Sequence, residues 1–122
     1  MRNFKIDGLN QLQNALKQAP EAANRGAVNG LHQSLAMWQR GSRGRSPVDT
    51  ATLRRTIKTE VDENALKGTI SSNTYRNGFN YSYYQHEVNG NEYLTDEYEA
   101  SEERYRATIE RNIDAELKKA GW

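Results

Sequence analysis

Near its end the chain repeats apolar residues at the period of an α-helix. Tyr98, Tyr105, Ile109, Ile113 and Leu117 share one stripe between residues 96 and 120. Acids crowd the start of this segment (Asp96, Glu97, Glu99, Glu102, Glu103) and Lys118 and Lys119 stand at its end, both matching a helix dipole. An amphipathic helix of that length has to lay its stripe against a partner, so any fold open to this chain must supply one. Ala27, Leu31, Leu35 and Trp38 form a second stripe and predict a helix from Pro20 to about Arg40. Gly26 and Gly30 lie inside it, each costing about 1 kcal/mol relative to Ala, which marks either another backbone packed closely there or simply a weak helix. Upstream, Asp7 is placed to cap a short helix from Gly8 carrying Leu9, Leu12 and Leu16.

Between the two stripes the pattern changes. Gly41-Ser42-Arg43-Gly44-Arg45-Ser46-Pro47 has the glycine, serine and proline content of a flexible basic loop. Thr52 to Glu60 alternates toward Val61 as a strand, Glu63-Asn64 suits a turn, and Leu66 to Ser72 predicts a returning strand. Asn77-Gly78 is a favoured turn pair, Tyr81 to Glu87 has the aromatic content of a third strand, and Val88 to Thr95 the polarity of a loop. The expected class is α+β in a single domain. Its parts are two N-terminal helices within residues 1–40, a basic loop at 41–51, a small antiparallel sheet at 52–95, and a long C-terminal helix at 96–120 packed on the sheet.

Composition bears on whether such a domain stands alone. Apolar residues make up 35% of 122 and the mean hydropathy is -1.01, so the core is expected to be thin and association with neighbours is favoured. Charge is split: residues 1–58 hold ten Lys/Arg against three Asp/Glu, and residues 59–122 hold seven against thirteen. Two solvated faces would account for this; so would the basic end of one copy meeting the acidic end of the next, a contact that generates rings or filaments. The absence of cysteine excludes disulfides and thiolate sites. No apolar run approaches the ~20 residues of a membrane span, and the first residues lack a signal peptide's apolar stretch. The expectation is a protein made and kept inside a cell.

Residues suited to chemistry are few. His32 and His86 have no thiolate to join them, and a metal site needs three or four convergent ligands. No serine stands in a nucleophile elbow with a base and an acid. Dipole matching accounts for the acids of the last helix more simply than paired acid catalysis does. No glycine loop is followed by the Lys-Ser/Thr of a nucleotide site. Catalysis, cofactors and metals are therefore not expected. Arg40, Arg43, Arg45, Arg54 and Arg55 form the one patch able to touch nucleic acid, but the aromatics that would stack on bases lie elsewhere. The same arginines, and Glu97, Glu99, Glu102 and Glu103, are the candidate interface residues.

One stretch is more specific: Ser46-Pro47-Val48-Asp49-Thr50-Ala51-Thr52-Leu53-Arg54-Arg55-Thr56-Ile57. It resembles the Pro-x-Asp-Thr-Gly-x-Leu-Arg-x-Ser-Ile signature of the HK97 gp10-like family of tailed-phage proteins. Tyr81-Ser82-Tyr83-Tyr84-Gln85-His86-Glu87 resembles that family's Tyr-Ala-x-Tyr-x-Glu segment, and Phe4 to Leu12 resembles its usual start. Ala51 replaces a glycine, Val88-Asn89-Gly90 stands in place of a Gly-Thr, and Glu92-Tyr93-Leu94 is all that remains of a Pro-Phe-Leu element.

The resemblance implies a neck component: a head–tail joining, tail-completion or tail-terminator protein forming a ring, as a hexamer or dodecamer, around the DNA channel. Its partners would be itself and neighbouring connector and tail-tube proteins, with non-specific contact to DNA, and its place the virion after synthesis in the bacterial cytoplasm. Pro47, Asp49, Thr50, Leu53, Arg54 and Ile57, with Tyr81, Tyr84 and Glu87, would then be structural: Pro47 fixes the chain, Asp49 or Thr50 caps a turn, and Leu53 and Ile57 enter the core. Two other classes fit the same residues, a small nucleic-acid-binding protein using Arg40 to Arg55 and a phage assembly chaperone or adaptor.

Overall fold

The structure is a computed structural model that describes residues 5–8, 20–46 and 51–122. The short helix expected at Leu9, Leu12 and Leu16 lies outside the described residues, as do Pro47, Asp49 and Thr50.

Two long helices dominate. Helix α1 (Glu21–Arg45) starts after Pro20, whose φ of -57° suits the entry to a helix. The last helix begins at Tyr93, three residues before the acids that mark it in the sequence, and runs to Lys119. In chain order the remaining elements are β1 (Lys5–Gly8), α2 (Ala51–Arg55), β2 (Ile57–Asp62), β3 (Lys67–Ser72), β4 (Tyr75–Arg76), β5 (Phe79–Asn80), α3 (Tyr81–Tyr83) and a π-helical turn, Tyr84–Val88, ahead of α4 (Tyr93–Lys119). The α+β class holds. No helix among the described residues is long and apolar enough to cross a membrane.

The small sheet is antiparallel in the order β1-β3-β2, with Ile70 of β3 paired to Ile6 on one side and Thr59 on the other. Strand β1 was not expected from the sequence; four residues carry too little alternation to declare themselves, and their pairing partner is more than sixty residues away. Gly68 lets α1 lie on this sheet, since a Cβ there would stand 2.6 Å from Leu35 Cδ1. Gln39 fastens the same face by donating from Nε2 to the Ile57 carbonyl at 2.7 Å.

On its other side α1 meets α4. A Cβ on Gly26 would stand 2.5 Å from Ile113 Cα, and one on Gly30 2.5 Å from Ile109 Cα, so both glycines mark a close backbone approach. Ser34 continues the seam by donating to the Tyr105 carbonyl at 3.0 Å, and Trp38 Nε1 donates to the Leu94 carbonyl at 2.7 Å. At its N-terminal end α4 also reaches the sheet, where Tyr93 Oη and Ser72 Oγ share a hydrogen bond of 2.9 Å. Leu31, Leu35, Trp38, Leu53, Ile57, Ile70, Leu94, Tyr105 and Ile109 form one core between these layers.

Three local expectations are corrected. The basic loop at 41–51 begins too early, because α1 stays helical through Arg45. Gly41 faces Glu97, against which any Cβ would collide, and Ser42 is buried; tertiary contact therefore sustains a helix that composition alone would end. Thr52 to Arg55 is helix and not strand. Leu53 and Ile57 are both fully buried at a spacing of four, and the Leu53 carbonyl accepts from Thr56 Oγ1 at 2.7 Å, closing the turn. The third strand at Tyr81 to Glu87 is likewise helical. Asn80 Oδ1 caps it by accepting from Tyr83 N at 3.2 Å, and adjacent Gln85 and His86 are both buried, an outcome strand alternation forbids on a single covered face. Asn77-Gly78 does form the expected turn, with both residues at positive φ (54° and 78°) between β4 and β5.

Candidate functional site

The candidate arginines divide into three environments. Arg40 and Arg55 are exposed. Arg43 Nε donates to the Arg54 carbonyl at 3.3 Å, which ties the end of α1 to α2, and Arg54 is half-buried with its Nε lacking a hydrogen-bond partner among the described residues. Arg45 turns inward and donates from Nε to Glu97 Oε1 at 3.0 Å.

Glu97 is the centre of this region. Its side chain is 8% exposed, and Oε2 accepts from Tyr105 Oη at 2.7 Å and Ser101 Oγ at 2.8 Å. Burial alone would push this carboxyl up, yet the hydrogen bonds from Tyr105, Arg45 and Ser101 together outweigh it and hold the group below its usual range. The same burial, then donation to Glu97, pushes the Tyr105 phenol up. The vacancy left by Gly41's missing side chain is what admits Glu97 beside α1. A buried, fully hydrogen-bonded carboxylate with a rim arginine is a fastening between the ends of two helices. The pairing of Arg45 with Glu97 expected between copies is thus made within one chain.

The other acids behave differently. Glu102 pairs with Arg106 one turn on at 2.8 Å, whereas Glu99 and Glu103 are exposed and make no ion pair among the described residues. They lie on the outer face of α4, away from the arginines at the end of α1.

The tyrosine segment forms a second constellation. His86 is fully buried, edge-on to Tyr93 at 5.2 Å, with Nδ1 2.9 Å from Glu87 Oε1 and Nε2 accepting from Thr95 N at 3.4 Å. That assignment puts the proton on Nδ1 and makes His86 a latch between the π-helical turn and the start of α4. Gln85 serves the same end: its Nε2 donates to Tyr81 Oη at 2.7 Å while its Oε1 accepts from Asn89 and Asn91. Tyr84 points outward and packs on Phe79 at 5.7 Å, both substantially exposed. His32, far from this cluster, stands 3.7 Å from Glu63 on the surface.

Comparison with protein-family models, curated proteins and solved structures returns no match.

Among the described residues no group of three or more His, Asp or Glu converges on a position for a metal ion. What the structure offers instead is a surface groove along the outside of the α1–α4 seam. One stretch of about 540 Å³ is lined by Met37, Arg40 and Arg111, and a second of about 420 Å³ by Met37, Arg40 and Arg104. Met37 and Arg40 line both, which places the two side by side. Of these, only Arg40 was a candidate from the sequence. Arg104 and Arg111 sit in the acidic half of the chain, where net charge conceals them, and Gly41, Ser101 and Tyr105 become part of the Glu97 site only once the two helices are placed side by side.

Proposed function

We propose that the chain is a structural virion protein of a tailed bacteriophage: a neck or tail-completion subunit that forms a ring around the DNA channel. The observation that carries this reading is the ordered resemblance of Pro47 to Ile57 and Tyr81 to Glu87 to the HK97 gp10-like signature. The geometry of both motifs supports a structural role for them. Leu53 and Ile57 are core residues, and the tyrosine segment is a hydrogen-bonded junction between the β4–β5 hairpin and α4. The nucleic-acid reading loses ground, because Arg45 is occupied with Glu97 and Arg43 with the α2 backbone.

Native mass spectrometry of the purified chain tests the proposal. A hexamer or dodecamer, together with labelling of the head–tail junction by antibodies against this chain, is the expected result. A protein absent from purified particles would instead favour an assembly factor that leaves.

A further inference from the structure

Two charged surfaces stand on different faces of the molecule. The first is the α1–α4 groove, lined by Ala36, Met37, Thr108 and Ala115 together with Arg40, Arg104 and Arg111. Arg40 and Arg111 have no carboxylate within ion-pair distance among the described residues, and Arg104 reaches Glu97 only at 4.0 Å with its side chain 63% exposed. The second is the outer stripe of α4: Asp96, Glu99, Glu103, Glu110 and Asp114, all exposed and outside every ion pair among the described residues.

The two surfaces match in spacing. Arg104 and Arg111 are seven residues apart on α4, and so are Asp96, Glu103 and Glu110, which is about 10.5 Å along a helix at 1.5 Å per residue. Successive residues on a helix are rotated by about 100°, so Glu103 and Glu110 stand about a quarter-turn round α4 from Arg104 and Arg111 and present a separate face.

Building on the ring reading, we infer that the groove is the docking site for a second copy of this chain, which lays the Asp96–Asp114 face of its α4 along Arg40, Arg104 and Arg111. Each copy offers the groove on one face and the stripe on another, so on the ring reading the contact repeats head-to-tail from copy to copy. Ala36, Met37 and Ala115 supply apolar contact and the arginines the register. This moves the interface from the end of α1, where Arg45 is already paired, to the middle of the two-helix seam.

The test uses two variants and their mixture. Arg40→Glu with Arg111→Glu makes the groove acidic; Glu103→Lys with Glu110→Lys makes the stripe basic. All four positions are exposed, and circular dichroism verifies that each variant is folded. Sedimentation over a concentration series should show each variant alone failing to assemble, its midpoint raised at least about tenfold by like charges facing each other. Mixed one to one, the acidic groove receives the basic stripe and the native pair completes the alternate contact, so assembly should return. Variants that assemble as the wild type does, alone, overturn the docking site and leave the ring standing. A wild type that stays monomeric at every concentration and low salt overturns both. If that monomer binds duplex DNA through Arg40 and Arg111, the groove is a phosphate site instead.

Discussion

Gly26 gives the sharpest test of the fold. A Cβ added there would meet three backbone atoms of α4: Ile113 Cα at 2.5 Å, the Asn112 carbonyl oxygen at 2.6 Å and its carbon at 2.8 Å. None belongs to a side chain that could rotate away, so Gly26→Ala must push the helices apart. Two effects oppose each other. Alanine favours the helix by about 1 kcal/mol over glycine, while forcing volume into a packed contact costs about 1–3 kcal/mol, more when backbone must move. Clash wins, for a net loss of about 1–2 kcal/mol. Gly44 in the last turn of α1 has nothing within 4 Å of its Cβ position, so Gly44→Ala keeps only the favourable effect and should gain up to about 1 kcal/mol. Urea unfolding at one fixed protein concentration measures both, and at about 4 °C per kcal/mol thermal midpoints should diverge by roughly 8 °C or more. Gly26→Ala as stable as the wild type would mean that α4 does not cross α1 at this position.

Further outcomes follow from the buried polar contacts. The folded-state pKa of Glu97 lies below its unfolded value, so its contribution to stability is complete above about pH 4.3 and is lost as pH falls through the folded pKa; Glu97→Gln should be less stable at pH 7 and show a flatter acid limb in denaturation between pH 7 and 3. Trp38→Phe removes the indole N–H that the Leu94 carbonyl accepts beside its helical bond and should cost about 0.5–1.5 kcal/mol by chemical denaturation for the lost hydrogen bond. Ile109 is 3% exposed; Ile109→Asp buries an unpaired charge and should leave no soluble protein on expression, normal yield refuting the assignment of that face.

The long-period features were legible in the sequence because their signals repeat. The α4 stripe spans about five turns and the α1 stripe about three, while Gly26 and Gly30 left a close backbone and a weak helix as alternatives that the packing against α4 decides. What was illegible depends on contacts distant in sequence. Gly41-Ser42-Arg43-Gly44 has loop composition, and only Glu97, across the seam, explains why it stays helical. Tyr81-Ser82-Tyr83-Tyr84 has strand composition because aromatic residues favour pleated surfaces; the cap at Asn80 was the overlooked local sign, and His86 pairing with α4 the unforeseeable one. The proposed interface was half legible. Its acids Glu99 and Glu103 could be named, whereas Arg104 and Arg111 were hidden by the net negative charge around them.

The separation between α1 and α4 also sets an order in time. Ser34 is synthesised 71 residues before the carbonyl it donates to, an interval of about 4–14 s at roughly 5–20 residues per second. During that wait α1 has the sheet on one side and nothing on its glycine face. Trp38 has no acceptor, and the π-helical turn lacks the Thr95 N–H that its histidine holds. The domain therefore closes all at once, when its final helix arrives. A nascent chain stalled before Tyr93 would present the Leu31–Trp38 stripe to any chaperone nearby, and the groove between α1 and α4 would come into existence only after Ala115 had left the ribosome.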